Sequence, residues 1–398
     1  MASNRRRAVL TVVLVAMVGL FAGEAWVQHR TNAEWQRVAA ERDGLAVQLA
    51  ARPTQRAPLL GAPTPGLAFD HYAVAATAAA PLDRDRSTEA HKLLTADDAT
   101  VAAAPLRAAW DPVVAAVRAG AQADDARAPQ QGPMTKSGDG IVDLLAVRWV
   151  ANAAAFEARA RLHEGRGDDA VRVSLAGMTL GRDVLHSGLL INQLIGCAVL
   201  AIGVDTWTEA RLARLSPEAR ELLATGLAAL DAQLPVALDF TAELGFAAAA
   251  IAQLEAAGGK DQGSSALGAW RHGFSPRWQL ASHFLGYADV VRLADATRNQ
   301  PWPERKARLR AAIAEADAAG NAFVAVAHLD SAERQLRSAV ASVRLLRMAL
   351  DLHAGRDASA LPDPLAAAPI AVSAGEGGVR LASADAAKQP RLQRLVVR

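Results

Sequence analysis

The sequence predicts an all-α protein: an N-terminal transmembrane and neck helix, then an irregular α-solenoid or helical bundle, then an irregular C-terminal tail. Three observations carry that expectation. Beyond residue 66 nearly every segment spaces its apolar residues three and four apart, and runs of β-branched residues are few. The chain has 398 residues, 52% apolar and 21% charged, which is ample material for a large core. Its first 26 residues place Arg5, Arg6 and Arg7 ahead of an uncharged apolar run at 8–23.

That run predicts a membrane address. Its 16 residues rise about 24 Å as a helix, against a hydrocarbon core of roughly 30 Å. Signal cleavage wants small residues flanking the cut, and Gly23-Glu24-Ala25 sets a charge between them. Trp26 stands where an interfacial aromatic belongs, and helix-forming composition continues through Glu34, Trp35, Glu41 and Arg42 to Ala51. The expectation is an uncleaved single-pass anchor in the inner (cytoplasmic) membrane, contacting lipid through residues 8–23. The three arginines hold the N-terminus in the cytoplasm and send the bulk of the chain to the periplasmic side.

Four segments follow from composition: anchor and neck over 1–51, a Pro/Gly-rich linker over 52–66, a helical domain over 67–355, and the tail over 356–398. Within the linker Pro53, Pro58, Pro63 and Pro65 exclude helix. A short helix is expected over 66–80 and a second region over 97–120, interrupted at Asp111-Pro112; 121–140 reads as a loop. The best-patterned block spans 141–230, with one helix ending at Glu164-Gly165 and the next opening on Asp168-Asp169. The apolar stretch 189–204 is interrupted by Asn192 and Gln193, so it reads as a core helix, with Gly196 and Gly203 on one face for close approach. Ser216-Pro217-Glu218 supplies a capping serine and a first-turn proline. Further helices are expected over 235–257, 275–299, 304–319 and 330–354; in the tail only Val379-Arg380-Leu381 and Leu395-Val396-Val397 look strand-like.

Composition and motifs exclude several chemistries. A net charge of +2 with acidic pairs interleaved among the arginines leaves no basic stripe for nucleic acid. One cysteine, Cys197, permits no intrachain disulfide. No P-loop, dinucleotide fingerprint, G-x-S-x-G or H-E-x-x-H motif occurs, no cofactor is implied, and no two histidines have metal-ligand spacing on one helix face. Asp183 and His186, three apart, are a single pair and not a metal site, and Asp70-His71-Tyr72 and His283 point to no defined chemistry. The catalytic candidates are Asp239 and Glu243, four apart within the 235–257 helix among Leu238, Phe240 and Leu244. Paired carboxylates in an apolar wall can do acid/base work, or can bind arginines of neighbouring helices; the abundance of arginine favours the second.

Residues 158–170, Ala-Arg-Ala-Arg-Leu-His-Glu-Gly-Arg-Gly-Asp-Asp-Ala, resemble the helix-turn-helix of a tetratricopeptide-type unit, in which a small residue ends the turn and an alanine opens the second helix. The likeness covers one unit: Ser174 replaces a large apolar residue and no 34-residue period follows. The anchor, the block Gly188-Leu-Leu-Ile-Asn-Gln-Leu-Ile-Gly-Cys-Ala198 and the helix at 332–354 followed by Leu361-Pro362 together resemble a group of membrane-anchored helical proteins of high-GC bacteria. That group has no assigned activity; the anchor, the neck helix, the tetratricopeptide-like turn and the missing catalytic motifs lead to the expectation of a scaffold or protein-interaction module facing another envelope protein. The alternatives from the residues are an envelope enzyme with a carboxylate site, or a carrier of an apolar ligand.

Overall fold

The computed structural model describes residues 2–51, 54–84, 87–128, 144–256, 276–318, 329–358, 360–375 and 377–397. Among them it contains fourteen α-helices and five short strands, so the chain is all-α in its bulk. Helix α1 (Ala2–Ala50) is unbroken. Strand β1 (Thr64–Leu67) leads into α2 (Ala68–Arg84), α3 (Ser87–Thr95), α4 (Asp98–Ala102) and α5 (Arg107–Gln122), and β2 (Ala123–Asp125) pairs with β1 in parallel. The centre comprises α6 (Leu144–His163), α7 (Gly167–His186), α8 (Leu190–Asp205), α9 (Glu209–Ala213) and α10 (Pro217–Gln233). Then come α11 (Thr241–Ala256), α12 (Pro276–Ala296), α13 (Trp302–Ala318) and α14 (Leu329–His353), and finally β3 (Ala371–Gly375), β4 (Gly378–Ala382) and β5 (Gln393–Val396).

Helix α7 is the axis of the molecule. It is buried almost all round, from Ala170 to Leu185, and packs on α5, α6, α8 and α10. Its entry is set by a glycine: Gly165 sits at φ +78°, Arg166 N–H reaches the Arg161 carbonyl at 2.8 Å, and Gly165 N–H reaches that of Leu162 at 3.2 Å. This left-handed helix end satisfies two orphan carbonyls and folds α7 back on α6. Ala158 and Ala170 are both buried, and Ser174, small and polar, accepts a hydrogen bond from Trp207 Nε1 at 2.9 Å. Gly196 and Gly203 both turn toward α7: a Cβ on the first would lie 2.6 Å from the Gly181 carbonyl, and on the second 2.5 Å from the Met178 side chain. Helix α14 packs on α8 and α10, far from it in sequence, so contacts are not confined to neighbouring helices as in a repeat array.

Four expectations are corrected. The 54–66 segment is no free linker: Arg56 N–H bonds the Asp124 carbonyl at 3.0 Å, Ala126 N–H bonds that of Thr54 at 2.9 Å, and Leu59 is buried in the core. Prolines excluded helix there, but extended backbone found partners beside β2. The break near Asp111-Pro112 lies instead at 103–106, and Pro112 sits inside α5. The tail is not irregular: β3, β4 and β5 form an antiparallel sheet whose Leu381 and Val396 are buried. The fourth concerns Asp239, described below.

The second half of α1 docks on α11 and α12, burying Val38 and Leu45 and pairing Glu41 with Arg292 at 2.8 Å. Nearer its start Phe21 is 67% and Trp26 56% exposed. Among the described residues no helix is long and apolar enough to cross a membrane; the side chains of the apolar run at 8–18 lie outside the described residues.

Candidate functional site

Asp239 does not share a helix face with Glu243. Residues 235–240 are not helical, because side chains from other helices hold their backbone. Leu238 N–H donates to Glu333 Oε2 at 2.9 Å and Asp239 N–H to Gln193 Oε1 at 3.1 Å. Asp239 then accepts from Thr241 N–H at 2.9 Å, ahead of α11, and approaches Arg298 at 4.0 Å. Glu243 lies in the first turn of α11 and accepts the Leu190 N–H at 3.0 Å, at the start of α8. Burial pushes its carboxyl above the ordinary glutamate range, against the opposing hydrogen bond from Leu190. The Tyr287 hydroxyl is likewise pushed up by burial and by the charge of Glu243. The two carboxylates thus do separate local jobs, one shaping a turn and one holding a helix start.

Several buried carboxylates are taken up by arginines, whereas Asp363 accepts the Ser383 hydroxyl at 2.9 Å and the Leu365 and Ala384 N–H groups. Asp183 meets Arg56 at 2.8 Å and Arg182 at 2.8 Å, and accepts the Tyr72 hydroxyl at 2.6 Å. Burial, then Asp183, push the Tyr72 pKa far up. His186 Nε2 bonds the Gln233 carbonyl at 2.9 Å, and the charge of Asp183 also acts on it. Glu333, wholly buried, holds Arg305 at 3.0 Å and Arg337 at 2.9 Å, and the Arg337 guanidinium lies over the Trp302 ring, 5.0 Å from its centroid. Asp98 gathers Arg159 at 3.0 Å, Arg211 at 2.8 Å and Arg214 at 3.1 Å, and Asp231 gathers Arg344 and Arg347. Burial pushes the Cys197 thiol up to about 12, so it is inert as a thiolate. Among the described residues no three ligating side chains gather to hold a metal ion.

One concavity stands apart from these pairs. A cleft of about 220 Å³ opens between α5, α7 and residues 59–60. Leu59, Leu60, Leu175 and Ala176 line it together with Arg118 and Arg172, both exposed. The spacing of α5 hinted at none of this, because one wall comes from the segment read as a linker. No protein-family model, curated protein or solved structure matches the chain.

Proposed function

We propose that the protein is a single-pass, membrane-anchored helical interaction module, with residues 8–23 in the inner membrane and the helical body presented on the periplasmic side to another envelope protein. The observation that supports this reading is the continuity of α1. It runs 49 residues, about 74 Å, and its second half buries Val38 and Leu45 in the body. A helix that carries the apolar run at one end and core residues Val38 and Leu45 at the other would tie the body rigidly to the bilayer. The α6–α7 pair, one tetratricopeptide-like hairpin, supplies the packing style of an interaction module.

Fractionation tests the address. The full chain is expected to stay with membranes through carbonate and high salt, and a periplasm-dependent reporter after Arg398 to be active. Recovery of a shortened, fully soluble chain sinks the anchor. Photocrosslinkers placed in turn on α3, α10 and α13 are expected to trap the same envelope protein from one face only; crosslinks spread evenly over the body overturn the partner.

A further inference from the structure

We infer that the cleft between α5, α7 and residues 59–60 binds a small organic anion, its carboxylate or phosphate head between Arg118 and Arg172 and a short apolar body on Leu59, Leu60 and Leu175. The inference holds whether or not residues 8–23 cross a membrane.

It starts from the treatment of arginine elsewhere. Arg56, Arg159, Arg182, Arg211, Arg305 and Arg337 each bond a carboxylate. Arg118 and Arg172 form no hydrogen bond or ion pair with a described residue, although they line the same cleft. Asp169 is near enough for Arg118 to help hold its carboxyl below the ordinary range, but that carboxylate is bonded to Arg166 at 2.6 Å, the larger cause. Among the described residues no acidic side chain lines the cleft. Two like charges above low-dielectric walls concentrate positive potential there, and an anion relieves their repulsion.

The floor sets the rest of the ligand. Gln122 Nε2 is committed to the Leu60 carbonyl at 3.0 Å, and the Thr179 hydroxyl to that of Leu175 at 2.8 Å. With those donors committed, the lining that remains is Leu59, Leu60, Ala121, Leu175 and Ala176 together with the two exposed arginine side chains. A head group that only accepts, joined to a body that only packs, fits this division. The volume, about 220 Å³, lies below the roughly 300 Å³ at which pockets for drug-sized ligands begin, which suits a short body of about five or six carbons.

Calorimetric titration of the purified full chain with hexanoate, hexyl phosphate, inorganic phosphate and hexanol tests this. Hexanoate or hexyl phosphate is expected to bind at least about tenfold more tightly than inorganic phosphate or hexanol, and more weakly as salt rises. Which of the two binds better tells carboxylate from phosphate. R118Q and R172Q are each expected to weaken it at least about tenfold with melting temperature unchanged, because neither guanidinium bonds a described residue. Leu60→Ala is expected to weaken the alkyl anions and leave inorganic phosphate unaffected. Absence of binding, hexanol binding as well as hexanoate, inorganic phosphate binding equally, or full affinity in both folded arginine variants overturns the inference.

Discussion

At a single side chain, burial decides what a charge is worth. Glu333 is fully buried and holds Arg305 and Arg337. Glu333→Ala would strand two guanidinium groups, and is expected to cost about 3–5 kcal/mol in urea unfolding. Asp239 is a third exposed and 4.0 Å from Arg298, so Asp239→Asn is expected to cost under about 1 kcal/mol. Glu243 has the opposite sign. Burial raises its folded pKa, so the stability it permits is full below the ordinary value of 4.5 and is lost as pH rises through the folded pKa. Glu243→Gln keeps an acceptor for the Leu190 N–H and removes the buried charge. Its variant is expected to melt above the parent at pH 7, with the two curves converging below pH 4.5. A Gln variant less stable at pH 7 would show the carboxylate is needed charged. Loss of a cellular phenotype in the Asp239→Asn, Glu243→Gln double variant at unchanged melting temperature would instead mark the pair as catalytic.

For whole elements, what could be read from sequence divides by where the cause lies. The α6–α7 hairpin, the capped start of α10 and the facing glycines of α8 were legible, because local caps, spacing and small residues dictate them. The non-helical run at 235–240 was not, since Gln193 and Glu333 hold it from 46 and 95 residues away. The tail sheet left a fainter trace: Gly375-Glu376-Gly377-Gly378 between alternating apolar residues is a hairpin signal that composition alone concealed. The neck was legible as helix, but its docking on α11 and α12 was not. A chain beginning near residue 28 is therefore expected to melt like the parent. One beginning at residue 54 loses Val38 and Leu45 from the core and is expected to melt lower or aggregate. Equal stability of the two would mean that α1 contributes nothing to the body.

Across the whole molecule the fold class was legible and the arrangement was not. Helical spacing announces helices, but it does not say which of them becomes the axis. Arg182 and Asp183 in the middle of α7 are polar residues at positions that became core, because Arg56 and Gln233 arrive to satisfy them. The same helix joins two apolar clusters. Leu175 and Met178 belong to the cluster built mainly by α8, α10, α11, α12 and α14, whereas Val173, Leu180 and Val184 belong to the one built mainly by α2, α5 and α6, to which α8 adds Ile195 and Val199. Because both clusters draw on α7, opening of one is expected to loosen the other. Met178 is wholly buried on the first side, and Met178→Ala is expected to cost about 2–5 kcal/mol. Hydrogen exchange reads the consequence. If α7 couples the halves, the slowest amides of α5 and of α14 lose the same free energy of opening in this variant, although Met178 lies in only one cluster. If α14 loses protection and α5 keeps it, the clusters are separate cooperative units and α7 is merely their shared wall.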